Sequence, residues 1–235
     1  MNFLRKLHKW LGLLIGIQVV LWTVSGLVFA WLDHHEVMAE HSVHPPEAAV
    51  LRGDQALVEP AAWLDEYAGR KIYEIRLVSL LDQWLWRVET ADGVELRGVD
   101  GRVFALEEAL VTRMAQQHYK GSGKLLGVVY QPESGLETRD AGAVWQAKFA
   151  DEGQTTLYFA ADDGRLEATR NSTWRLFDFF WMLHTMDFEG RDNFNNPLVI
   201  AAGTGALWLS LSGLLLLTRS FRRRDFEFLG RLRRS

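Results

Sequence analysis

Two long apolar runs bracket a region of alternating, turn-punctuated sequence. From Leu11 to Leu32 no side chain is charged and Gln18 is the only strongly polar one; from Pro197 to Thr218 none is charged. Each run is about 22 residues, roughly 33 Å as a helix, which matches the hydrocarbon core of a bilayer. Each therefore predicts a transmembrane helix, over 11–32 and 197–218. The first run follows Arg5, Lys6 and Lys9 and ends near Val28-Phe29-Ala30, the outline of a signal peptide. Its apolar stretch is longer than the roughly 7–15 residues of such a segment, so it reads as an anchor.

The middle region reads as a duplication. Residues 71–90 alternate like a strand, turn at Asp92-Gly93 into Val94–Val99, and turn again at Asp100-Gly101 into Arg102–Ala105. Further on, Val144–Ala150, Thr155–Ala160 and Arg165–Thr169 repeat the order, with turns at Asp151–Gly153 and Asp163-Gly164. Asp-Gly is a strong hairpin signal because glycine accepts positive φ without steric cost. Helical stretches over Pro60–Ala68 and Leu106–Tyr119 precede the two strand sets. The expectation is an α+β membrane protein in which two transmembrane helices enclose an external domain of two helix-plus-three-strand repeats, 33–105 and 106–170, with Trp86 and Trp145 at equivalent places. Residues 171–196 predict an aromatic interfacial helix, 1–10 a short leading segment and 219–235 a basic tail.

Charge sets the orientation. Arg5, Lys6 and Lys9 flank one run, and Arg219, Arg222, Arg223, Arg224, Arg231, Arg233 and Arg234 flank the other. The inner flanks carry Asp33, Glu36, Glu40, Asp187, Glu189 and Asp192. The positive-inside rule puts both termini in the cytoplasm and the central domain outside it. Composition then narrows function. With no cysteine, disulfides, iron–sulfur clusters and thiol catalysis are excluded. A formal charge of −4 argues against nucleic acid as a partner. No H-E-x-x-H, G-x-S-x-G or phosphate-binding glycine loop is present, which leaves no hydrolase signature.

Histidine is the informative residue type. His8 precedes the first run, His34, His35, His41 and His44 follow it, His118 ends a helical stretch, and His184 lies in the aromatic segment Trp174–Asp187. With Glu36, the group His34, His35, His41 and His44 offers a candidate site for zinc, copper or nickel, set against the plainer reading of a histidine-rich loop before Pro45-Pro46. Small residues in both runs, including Gly12 and Gly16 in a G-x-x-x-G spacing, predict helices that pack on each other or on a second copy.

The segment Leu7-His8-Lys9-Trp10-Leu11-Gly12 followed by Ser25-Gly26, the Asp-Gly turns between short strands, and Trp181-Met182-Leu183-His184 followed by Leu211-Ser212-Gly213 resemble the PepSY-associated transmembrane family across nearly the whole chain. That resemblance implies PepSY modules in the external region and a place in the bacterial inner membrane. Larger members include proteins associated with siderophore-iron reduction, whose four helices bind haem through histidines. This chain has two spans, so a four-helix core implies a homodimer or another membrane subunit. His8 matches the family's first-helix histidine and His184 the one before the last span.

From His8 to Leu32 is about 36 Å of helix, so His8 and His184 fall near opposite faces and cannot share one haem. His34 or His35 could pair with His184 in a bis-histidine haem b site, with Met186 a weaker candidate ligand. Three readings follow: a haem-linked electron-transfer or iron-siderophore reductase component; a non-enzymatic, membrane-anchored module that binds a periplasmic protein; and an external metal-binding protein.

Overall fold

The computed structural model describes residues 2–44, 50 and 57–219. Pro45-Pro46 and the basic tail beyond Arg219 lie outside them. The chain divides into two compact units, Met1–Trp31 with Phe177–Ser235, and Leu32–Leu176.

In the first unit, α1 (Asn2–Trp31) packs against α5 (Pro197–Thr218). Both are apolar enough to cross a membrane, and the second matches the charge-free run residue for residue. Pro197 occupies the first turn of α5, where its missing N–H costs nothing, and Asn196 caps that turn by accepting from the Val199 N–H at 2.9 Å. The helices meet where side chains are small. A Cβ on Gly205 would overlap Ile15, and one on Gly12 would reach ordinary contact with Leu209, whereas one on Gly16 would meet nothing. The spans thus pack on each other, through Gly12 and Gly205 and not through Gly16. A further helix, α4 (Ser172–Thr185), begins in the other unit and ends in this one. It is shorter than the segment 171–196 expected to be helical, because Met186 turns to positive φ (54°) and the chain loops until Asn196.

The second unit holds two antiparallel four-stranded sheets, each in sequential order. The first comprises β1 (Ile72–Leu80), β2 (Gln83–Thr90), β3 (Gly93–Gly98) and β4 (Val103–Phe104), and the second β5 (Lys124–Gln131), β6 (Val144–Ala150), β7 (Thr156–Ala160) and β8 (Leu166–Arg170). Each copy carries one strand more than its pattern predicted. The tight β1–β2 turn lacks glycine and runs through Leu81 at φ 54°, while β5 hides a bulge between Leu125 and Gly127 that breaks its alternation. In register, Leu85 faces Gly98 and Val144 faces Ala160, the residues whose N–H groups close the two Asp-Gly turns. Trp86 and Trp145, each the next residue, occupy corresponding positions on the second strand of their sheets.

The copies differ in their covering layer. In the second, α3 (Glu108–His118) lays Val111, Met114 and Ala115 on Val128, Ala147, Leu157 and Phe159. In the first, the stretch expected to be helical is two 3-10 turns, Pro60–Ala62 and Leu64–Tyr67, and the core is small: Trp63, Tyr67 and Val88. Arg97, 3% exposed, completes it. Its guanidinium lies 5.0 Å from the centres of both the Trp63 and Tyr67 rings and donates to Glu66 (2.6 Å), Glu95 (3.0 Å) and the Gly101 carbonyl (2.9 Å). A second buried ion pair, Arg87 to Asp163 at 2.9 Å, ties β2 of the first sheet to the Asp-Gly turn of the other.

The histidine-rich segment after α1 is folded where a loop was the plainer expectation. α2 (His34–Val37) is capped by Asp33, whose carboxylate accepts from the His35 N–H, and a 3-10 turn follows at Glu40–Ser42. A bridge between Val43 and Tyr119 then ties the segment down, with the Lys120 N–H donating to the Ser42 carbonyl.

Candidate functional site

The first unit contains two histidine–serine pairs built the same way. His184, in the last turn of α4, has Nδ1 2.7 Å from Ser25 Oγ on α1. His8, near the start of α1, has Nδ1 2.8 Å from Ser212 Oγ on α5. Both serines are buried. Ser25 Oγ also lies 2.8 Å from the Leu21 carbonyl and 3.1 Å from that of Trp22; Ser212 Oγ lies 3.1 Å from the Leu209 carbonyl. A hydroxyl has one proton, and carbonyls only accept. With that proton given to the helix backbone, Oγ accepts from Nδ1–H of the imidazole. Each Nδ1 therefore carries a proton, and in the neutral tautomer so defined the lone pair lies on Nε2.

Aromatic side chains wall both rings. Phe29 and Trp22 lie 5.4 Å and 6.4 Å from the His184 ring centre, and Trp208 lies 6.4 Å from that of His8. Phe29 also packs, with tilted rings, against Phe177 and Trp181 of α4, so these two aromatic side chains face α1. Gly213 sits close to His8: a Cβ there would come 3.3 Å from its Cε1. Gly26, after Ser25, has open space, so the shared Ser-Gly sequence does not give its two glycines one job.

The backbone of α4 is fixed around His184 by three side chains. Gln18 Nε2 donates to the Leu183 carbonyl (3.2 Å), Trp22 Nε1 to that of His184 (2.7 Å) and Asn196 Nδ2 to that of Thr185 (2.8 Å). These are carbonyls a helix C-terminus leaves unpaired. One turn further back, Asp178, 3% exposed, pairs with Arg191 from the 186–196 loop, and Trp181 Nε1 donates to the Arg191 carbonyl at 2.9 Å.

The remaining histidines behave differently. His34 and His35 belong to the unit of residues 32–176, and both are exposed. His35 Nδ1 bonds Glu40 at 2.7 Å, which raises its pKa, chiefly through that hydrogen bond. His41 stands 3.6 Å from Glu36, and His44 uses its backbone N–H on the His118 carbonyl. Among the described residues no three histidines or acids are grouped to hold a metal ion. Met186 takes the positive-φ position after α4. Sequence reasoning singled out His8 and His184 and met Ser25, Ser212 and Gln18 only as motif or polar positions, without pairing them to the histidines; Trp22, Asn196 and the Asp178–Arg191 pair gave no such signal. The usable signal was the recurrence of Leu-His on α1 and α4 and of Ser-Gly on α1 and α5.

The family model described as PepSY-associated TM region matches residues 5–235. No curated protein and no solved structure matches the chain.

Proposed function

Because the chain belongs to the PepSY-associated transmembrane family, we propose that it is a bacterial inner-membrane component of haem-linked electron transfer, of the iron-siderophore reductase type. The observation that carries this reading is the hydrogen bond each imidazole makes through Nδ1 to a buried serine. An axial histidine ligand must be neutral, must present an unshared pair on one nitrogen, and is steadied by a hydrogen bond on the other. In His184 and His8 the hydrogen bond on Nδ1 is made to Ser25 and Ser212, which leaves Nε2 of the neutral ring as the ligating nitrogen. They are the residues that would hold haem b, one near each end of α1, and bound haem supplies one-electron transfer.

The chain's own part is to orient and to exclude. Ser25 fixes the His184 tautomer, Gln18, Trp22 and Asn196 hold its backbone, and Phe29 and Trp22 wall the ring. Each pair offers one imidazole, so a bis-histidine centre takes its second ligand from the same histidine of a second copy; a homodimer would assemble four helices. Basic flanks orient the protein with both termini in the cytoplasm and residues 32–176 in the periplasm.

The test is the absorption spectrum of the detergent-purified chain, oxidised and dithionite-reduced. A Soret band with sharp reduced bands is expected in the wild type, lost in His184→Ala and weakened in Ser25→Ala, both still folded. Full haem content in His184→Ala would remove that residue from the site.

A haem-free wild type would favour a partner-binding module instead. One feature suits that reading: β5 is an edge strand with exposed Leu126, Val129 and Tyr130, open to pairing with an extended segment of a periplasmic protein.

A further inference from the structure

The two charge-free runs are out of step. His8 sits beside Ser212, Gly12 beside Leu209 and Ile15 beside Gly205. Continuing that antiparallel register sets Pro197, the start of α5, level with about residue 23 of α1. From there α1 continues to Trp31, about 12 Å further at 1.5 Å per residue, with no α5 beside it. The overhang, Val24–Trp31, carries no charge, and its Leu27 and Trp31 are 62% and 91% exposed.

What lies beside the overhang is the end of α4. Phe177 and Trp181 pack on Phe29, and His184 reaches Ser25, so α4 runs antiparallel to α1, as α5 does. It stops where α5 begins: Asn196 donates to the Thr185 carbonyl and caps α5 through Val199. Between them the chain doubles back along α4, bringing Arg191 to Asp178 and to Trp181.

We propose that Phe177–Thr185 is a re-entrant half-helix sunk in the leaflet at the C-terminal end of α1, covered by lipid acyl chains, with His184 and Ser25 about 9 Å inside the apolar zone. Two independent observations carry this. The first is the offset itself. Were the bilayer to end at Pro197, the overhang and the exposed Phe179 would stand in water. Lys9, level with about residue 211, would then lie roughly 10 Å inside the opposite boundary of α5. The second is the treatment of the α4 C-terminus. In water its last carbonyls would be hydrated; here Leu183, His184 and Thr185 each receive a side-chain N–H, one of them from Gln18, the only strongly polar side chain in the run Leu11–Leu32. Irregular backbone at membrane depth survives only where protein supplies its partners. The loop meets the same demand: by turning back toward Asp178 it carries Glu189, Arg191 and Asp192 away from the α4 C-terminus and toward the headgroups.

The chain has no cysteine, so single-cysteine spin labels report depth without background. The full chain is reconstituted in phosphatidylcholine–phosphatidylglycerol vesicles, and labels are placed by Phe179→Cys and Leu27→Cys. Leu207→Cys on α5 serves as the lipid reference and Val103→Cys on β4 as the water reference, since both positions are exposed. The expected result is that the labels at 179 and 27 match the one at 207: open to oxygen, and about tenfold less accessible to a nickel chelate than the label at 103. Nickel accessibility at 179 equal to that at 103 would overturn the proposal. So would a water-like label at 27, a position on α1 that reports the same depth even if Phe179→Cys disturbs α4.

Discussion

His118 is a titratable ring placed among apolar neighbours, its centre 5.5 Å from that of Phe159. Burial, and then the nearby His44, lower its pKa from the usual 6.5. Between the lowered value and 6.5 the unfolded chain binds more protons than the folded one, so stability is full above that window and falls as the pH drops through it. His35, raised by Glu40, works in the opposite sense: its contribution is present below 6.5 and lost as pH rises through its folded value. Comparing variants separates the two. Thermal melts from about pH 7.5 to about pH 5.5 should show a falling Tm in the wild type and a flatter profile in His118→Gln. An unchanged slope in that variant would assign the acid sensitivity elsewhere. Neither effect was legible in the sequence, where His118 is one more polar residue at a helix end. Its burial comes from Phe159, far along the chain on β7, and contacts of that range leave no local pattern. Ser25 and His184, 159 positions apart, were hidden for the same reason.

Among the elements, legibility follows how local the signal is. A membrane span is dictated by its own composition, so α5 was readable residue for residue. The strands were readable where Asp-Gly turns cut them, and misread where the turn is Leu81-Asp82 or where the Gly127 bulge breaks the period. The helix expected over Pro60–Ala68 yields to 3-10 turns that bring Trp63 and Tyr67 onto Arg97. The spacing Gly12–Gly16 pointed to close packing, yet the tighter approach is at Gly205. Gly205→Leu should therefore cost about 1–3 kcal/mol, the usual range for overpacking, and lower the Tm in detergent, while Gly16→Leu should be nearly neutral. If Gly16→Leu proved the more damaging, that face of α1 would be in contact with a second copy.

For the whole molecule the charge asymmetry makes the topology testable. A reporter fused at Ser235 should be active in the cytoplasm and one inserted beside Gly121 active outside it. A periplasmic Ser235 would reverse the orientation. The crossed histidine–serine pairs also have a consequence in time. One joins α1 to α5 across 204 positions, and the other joins α1 to α4 across 159. The ribosome delivers α1 first, with His8 and Ser25 both waiting for partners. At about 5–20 residues per second, Ser212 emerges roughly 10–40 s after His8. For that interval the nascent chain holds His8 without its serine in or beside the bilayer, Ser25 waits only until His184 arrives, and residues 32–176 have time to fold. The finished helix pair then forms only when the last span arrives, so a chain cut short before Ser212 would leave His8 unmatched, a mark by which membrane quality control could distinguish it from the completed protein.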